Sequence, residues 1–184
     1  MAVPSDPPAH PAGNPQGSTP GSQDDAPLPI PNLKLPQLVF TLTDDKTKNF
    51  REGAQDKLVK AIEDDEMTPY LSHLISASVL PASSHSDLLS SLQQKNTDAL
   101  SALASKLDDA RANLGESEVA EALRERASYL AKIGEKGEAV KAYEEAFEAS
   151  AGKGTKIDLV LSIVRVGFFH QDFEIVTTGI ERAQ

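Results

Sequence analysis

Four sets of residues carry side chains that could do chemistry if the fold brought them together. The four histidines are His10, His73, His85 and His170. Zinc held from one helix needs two of them four positions apart, as in HExxH, and these lie too far apart in sequence for that. Glu63-Asp64-Asp65-Glu66 offers four carboxylates in a row. Consecutive positions point around a helix end instead of converging, and the alternating spacing and glycine of a calcium loop are missing, so a solvated turn is expected. Gly152-Lys153-Gly154-Thr155 has the composition of a phosphate loop. That motif requires Ser or Thr directly after the lysine, where Gly154 stands, and the preceding segment reads as a helix, not a strand. Ser83-Ser84-His85-Ser86 puts serine beside histidine, but neighbours in sequence do not make a catalytic triad, and a linker with a helix cap explains the run. There is no cysteine, hence no thiolate metal site, no disulfide and no Cys-His pair. The reading is that of a non-enzyme: no catalytic, cofactor-binding or metal-binding residue is assigned, and no small-molecule ligand is expected.

The elements that would position such groups are helical throughout. The central stretch, Asn113 to Ser150, reads as two amphipathic helices joined by a tight turn. Val119, Leu123, Ala127, Leu130 and Ile133 share one face of the first helix, and Ala139, Tyr143, Ala146 and Phe147 share one face of the second. Gly134 can take the left-handed conformation that ends the first helix. Small residues at 127, 139 and 146 allow close approach of the two backbones, and Tyr143 and Phe147 fill the groove beside them. This alternation over ~34 residues is of tetratricopeptide type, although the Trp, the Leu-Gly pair and the closing Pro of the full pattern are absent. An ordinary antiparallel helix pair is the plainer alternative.

Around that hairpin the chain offers more helices. Leu33 to Leu42 reads as a short helix or a strand; the helix is preferred because no other segment supplies a strand partner. Phe50, Ala54, Leu58, Ala61 and Ile62 share one helical face. Thr68-Pro69 reads as an N-cap followed by a first-turn proline, opening a helix with Tyr70, Leu71, Leu74 and Ile75. Beyond Pro81 there is no proline, and Ser86 can cap a helix of about 28 residues whose stripe is Leu89, Leu92, Asn96, Leu100, Leu103, Leu107, Ala110 and Leu114. Asn96-Thr97-Asp98 could break it. Near the C-terminus, Ile157, Leu161, Val164 and Phe168 are expected on one face of a helix that Val160, Ile163 and Phe169 make apolar nearly all round. A turn at His170-Gln171-Asp172 leads to a partner carrying Phe173, Val176 and Ile180, about one repeat beyond the Gly134 turn. With no polar capping repeat after it, this pair is expected to need cover, and the domain to be truncated before further repeats.

Composition sets the remaining bounds. Nine of the twelve prolines fall in residues 1–31, a stretch without Lys or Arg and with little to bury, so a disordered leader is expected there, polyproline-like near Pro27, Pro29 and Pro31. Residues 32–184 form the expected helical-repeat domain: all-α, a right-handed stack of antiparallel helix pairs, a tetratricopeptide-like solenoid. A net charge of -10 disfavours nucleic acid and anionic membrane as partners. No apolar run approaches the ~20 residues of a membrane span, and no secretory leader is visible.

Several blocks, in order, carry a resemblance over about residues 32–184. They are Gln37-Leu38-Val39-Phe40 with Leu42; Met67-Thr68-Pro69-Tyr70; Asp87-Leu88-Leu89; and Asn113-Leu114-Gly115-Glu116-Ser117-Glu118 followed by Ala127, Tyr129-Leu130 and Ile133-Gly134-Glu135-Lys136. The last runs from Ile157-Asp158-Leu159-Val160 to Arg165-Val166-Gly167-Phe168-Phe169. Together they resemble the N-terminal region of the seventh non-ATPase regulatory subunit family of the 26S proteasome lid, a PCI-domain family related to the first subunit of the COP9 signalosome. The Gly115-Glu116-Ser117-Glu118 run resembles the proteasome branch. The resemblance implies a non-catalytic scaffold in cytoplasm and nucleus, with other lid subunits as partners and a PCI domain beyond this chain. A signalosome scaffold and a free-standing helical-repeat protein-binding module are the alternatives; the latter would need a groove lined with polar residues able to hold an extended peptide.

Overall fold

The computed structural model describes residues 29–183. The expectation of a disordered leader falls largely on residues outside that range. Within it the chain is all-α: α1 (Lys34–Thr43), a 3-10 turn (Asp45–Phe50), α2 (Ala54–Asp64), α3 (Thr68–Ser76), a short 3-10 turn (Ala82–Ser84), α4 (Ser86–Asn113), α5 (Glu116–Ile133), α6 (Lys136–Ala149), α7 (Lys153–Phe169) and α8 (Phe173–Arg182). From α4 onward each helix packs on the next, giving a solenoid-like stack of antiparallel neighbours.

Two apolar cores form, and α4 belongs to both. The first takes Leu107 and Ala110 from the C-terminal half of α4, with Leu123, Ala127 and Leu130 of α5, Ala139, Tyr143 and Ala146 of α6, and Leu159, Ile163 and Val166 of α7. The second gathers Leu35, Leu58, Ile62, Met67, Tyr70, Leu71, Leu74 and Leu80 around Leu92 in the N-terminal half of α4, and Phe169 reaches into it from the end of α7. At 28 residues α4 is ~42 Å long, enough to span both. It does not break at Asn96-Thr97-Asp98. Thr97 Oγ1 donates to the Gln93 carbonyl within the helix (2.9 Å), and Asn96 turns its amide outward, donating to the Glu66 carbonyl (2.8 Å) and to the Tyr129 hydroxyl (3.1 Å). The side chains that compete with helical backbone in isolation are here given other work.

Gly134 ends α5 with φ +82°, the left-handed conformation expected of it, and a Cβ at this position would stand 2.8 Å from Tyr70 Cβ. The residue both turns the hairpin and lets α3 close on it. Gly179 does the second job alone, bringing α8 onto Val164 and the Val160 carbonyl of α7. Arg182 ties α8 back to α6, donating to both oxygens of Glu144 (2.6 and 2.7 Å) with its guanidinium 4.1 Å from the centre of the Phe147 ring.

Several sequence expectations are corrected. Phe50 does not share a face with Ala54 and Leu58: it closes the 3-10 turn at 72% exposure, because Gly53 at φ +70° reverses the chain before α2 begins. Neither Thr68 nor Ser86 caps its helix; both are first helical residues, and Met67 and His85 hold the cap positions without a side-chain bond. Leu114, last of the proposed α4 stripe, lies beyond the helix and is exposed. Arg165 of α7 donates from Nε to the Pro31 carbonyl (3.0 Å) and from Nη2 to that of Pro29 (3.1 Å), so Pro29–Pro31 are bound to the folded body.

If Asn96 joins the two cores, Asn96→Ala should cost about 1–2 kcal/mol, since the Glu66 carbonyl and the Tyr129 hydroxyl each lose a partner inside the fold. Urea unfolding of the two proteins compares them directly.

Candidate protein-interaction surfaces

The residues with chemical potential are dispersed. His10 lies outside the described residues. His85 is buried with Nδ1 2.8 Å from the Pro81 carbonyl, so it closes the linker into α4, and its serine neighbours form the 3-10 turn and the start of that helix. The acidic run diverges as expected of a helix end. Asp65 faces Lys132 (3.8 Å) and Glu66 faces Lys95 (3.7 Å), so the turn docks onto α5 and α4. Burial raises the Asp65 carboxyl above its ordinary range, with Lys132 opposing. Gly152 precedes α7 and Thr155 lies in its first turn. Among the described residues no three His, Asp or Glu side chains form a group able to hold a metal ion, and no helix is long and apolar enough to cross a membrane.

The fold does bring His73 and His170 to the same aromatic ring. Tyr70 lies with its centroid 6.5 Å from each, and Phe169 packs 4.7 Å from Tyr70 and 4.9 Å from His170. Burial pushes the His170 imidazole down to about 4, helped by Lys136 and His73 and opposed by Asp172. Lys136 donates to Asp172 Oδ2 (3.0 Å), linking the α5–α6 turn to the α7–α8 turn beside this ring cluster. This is a packing site at which two turns meet α3.

Among the described residues, an apolar face and a polar groove are open to another molecule. On α7 the buried sides are Leu159, Ile163 and Val166 toward the first core, and Val160, Val164 and Gly167 toward α8. Ile157, Leu161 and Phe168 are therefore left outside, with Phe173 and Ile180 on α8. Of Ile157, Leu161, Val164 and Phe168, which share one face as expected, only Val164 is buried, because the side of α7 that packs is turned toward Val160 and Ile163. Val176, expected on the open face, is also buried, in the contact with α7.

The other surface is polar. A groove of about 320 Å³ runs between α5 and α7 over α6, lined by Glu121, Arg124, Glu125 and Ser128 on one side and by Thr155, Asp158 and Ser162 on the other. Tyr143 forms its floor, with its hydroxyl 3.4 Å from Ser128 Oγ. Arg124 is tied to both oxygens of Glu121 (2.7 and 2.6 Å). The sequence reading found no such groove, because the helix stripes were read only for their apolar positions; Glu121, Arg124 and Ser128, at steps of three and four, were its available signal.

These features define an all-α protein of stacked helix pairs whose described residues present an apolar face and a polar groove. The family model described as 26S proteasome subunit RPN7 matches residues 85–184, α4 to α8 with the residue before them. The chain belongs to that family. It is 35% identical over 156 residues to the 26S proteasome non-ATPase regulatory subunit 6 of Dictyostelium discoideum, covering 84% of this chain and 40% of the relative. The protein of the same name in Caenorhabditis elegans is 31% identical over 157 residues (84% and 37%). The 26S proteasome regulatory subunit rpn7 of Schizosaccharomyces pombe is 28% identical over 155 residues (83% and 39%). The chain thus spans about 40% of the length of these curated relatives.

The His170 site predicts a pH dependence. Its folded pKa lies below the value in the unfolded chain, so as pH falls from about 6.5 to about 4 the unfolded chain takes up the proton first and stability declines. The loss should be on the order of 2 kcal/mol for this partly exposed ring. His170→Phe keeps the aromatic packing, and the difference between its urea midpoints at pH 7.5 and pH 5 should be smaller than that of the parent chain.

Proposed function

We propose that the chain acts as a non-catalytic scaffold segment of the 26S proteasome lid, in assembly of the complex and in ubiquitin-dependent protein degradation, in cytoplasm and nucleus, with other lid subunits as its partners. The observation that carries this is the family match across the stacked helices, combined with functional groups spread over surfaces and no reactive cluster among the described residues. Side chains in the family-matched region that could be mistaken for chemistry serve packing instead: His85 closes a linker and His170 a turn.

In this reading residues 32–184 are the first part of a longer solenoid that continues into further repeats and a PCI domain. The open side of α7 and α8 supports it. Phe173 is 69% exposed and Leu161, Phe168 and Ile180 about half, which suits a face that packs on a following helix pair. Binding energy in such a scaffold comes from complementary packing along helix faces.

Affinity purification of the N-terminally tagged chain from gently lysed cells, read by mass spectrometry, tests the assignment: lid subunits are expected, and recovery of signalosome subunits in their place would overturn it. For the open face, the isolated chain should bind a hydrophobic dye, and Leu161→Asp with Phe168→Asp should abolish most of the signal at little cost in stability. A monodisperse parent chain with no dye binding would contradict the packing role of that face.

A further inference from the structure

Three elements meet at one buried ring. Tyr70 of α3 is 5% exposed. His73, one turn further along α3, stacks beside it with the ring centres 6.5 Å apart, and His170 of the α7–α8 turn meets it edge-on at the same separation. Phe169 packs against both Tyr70 and His170. The α5–α6 turn closes in as well, where Gly134 lies against Tyr70. The backbone of the α7–α8 turn is fastened to its own helix. The N–H groups of His170, Gln171 and Asp172 donate to the carbonyls of Val166 (3.1 Å), Phe168 (3.2 Å) and Gly167 (2.9 Å), all on α7. Gln171 holds a left-handed φ of +55°, which a residue with a side chain adopts only at a cost. What joins this turn to α3 is the packing of His170 and Phe169 on Tyr70.

The groups around His170 make that packing sensitive to a proton. From α3 it faces His73, from the start of α6 Lys136, and from its own turn Asp172. Asp172 is already engaged: it accepts from Lys136 Nζ through Oδ2 (3.0 Å) and from the Ile175 N–H through Oδ1 (3.3 Å), which caps α8. A proton on His170 would therefore add a cation beside Lys136 and a second imidazole, in a place where burial withholds water from it. Relief comes when the ring leaves Tyr70 and Phe169 for solvent, where the imidazolium is hydrated.

We propose that His170 is a proton-operated latch: in acid its ring withdraws from Tyr70 and Phe169 and frees the α7–α8 turn from α3, while the helices on either side stay folded. This goes beyond a general loss of stability at low pH, because the turn opens locally and ahead of the cores. The inference stands apart from the lid assignment, because it uses only contacts within this chain.

The test is NMR-detected hydrogen exchange on the full chain at pH 7.5 and pH 5, each amide being corrected for its intrinsic rate and followed with and without ~1 M urea. The His170 imidazole lies at about 4 in the fold and returns toward 6.5 once the ring is free, so the proton favours the open turn as pH falls through this range. Protection of the His170, Gln171 and Asp172 amides should drop about 10- to 30-fold between the two pH values. It should respond little to urea, whereas Leu123, Ala127 and Leu130 in the core of α5 should respond strongly. His170→Phe keeps the aromatic packing and should reduce the drop to less than about twofold. Lys136→Gln removes the neighbouring cation, raises the folded His170 value and should give a smaller drop than the parent chain. Unchanged protection in the parent chain, a drop in His170→Phe as large as the parent's, an equal or larger drop in Lys136→Gln, or turn amides whose urea response matches that of α5 would each overturn the proposal.

Discussion

The structure depends on one long helix serving two cores. It links the short helices α1 to α3 to the stacked pairs after it, alongside the direct contacts of Tyr70 with Gly134 and Phe169. Leu92 on one half and Leu107 on the other are each almost fully buried, in different clusters. Burial of a leucine side chain contributes roughly 1.5–3 kcal/mol, so each half of α4 is anchored by more than helix propensity could supply. Asn96 sits between them. A polar residue in an otherwise apolar stripe gives up some burial, and here it returns a bond to each neighbour: the turn after α2 and Tyr129 of α5. Phe169 closes the same junction from the far side, reaching from α7 to Tyr70.

That junction determines which surfaces are left. Because α1 to α3 fold back against the ends of α5 and α7, the chain is not a bare run of repeats. The segment leading into α1 is laid across the same helices and held by Arg165. What remains open is the polar groove toward the start of α5 and α7, and the apolar outer side of α7 and α8. Ion pairs cross between the elements that carry these faces: Arg182 to Glu144 across α6 and α8, Lys136 to Asp172 between the two turns, and Lys106 to Glu125 between α4 and α5. Each is partly exposed and individually weak. Their value lies in joining elements that already pack.

The helices were legible in the sequence because their periodicity is strong, and the unbroken length of α4 could be read from its stripe. The Gly134 turn and the offset of the second pair were equally plain. Facing was harder. On α7 apolar residues occur on every side, so periodicity could not say which side packs, and Leu161 and Phe168 share a side that stays half exposed. Near Phe50 the pattern continued across a place where Gly53 turns the chain, since a helical stripe carries no information about the backbone between its members. The polar groove escaped notice for a related reason: its residues come from two helices about 35 positions apart, and only the packing of the stack brings Arg124 and Asp158 to one cavity. Bonds such as Arg165 to Pro29 span the whole domain and leave no trace in local sequence.

The central claim is that α4 joins both cores into one body that works as a rigid carrier of surfaces. Native-state hydrogen exchange read by mass spectrometry addresses it most directly, by comparing the opening free energy of peptides from α2 and α3 with that of peptides from α5 and α6 under increasing denaturant. The account predicts that the slowest amides of both regions converge on a single global unfolding, shared with α4. Separate opening of α1 to α3 at a free energy well below that of α5 and α6, with α4 protected only in its C-terminal half, would contradict it.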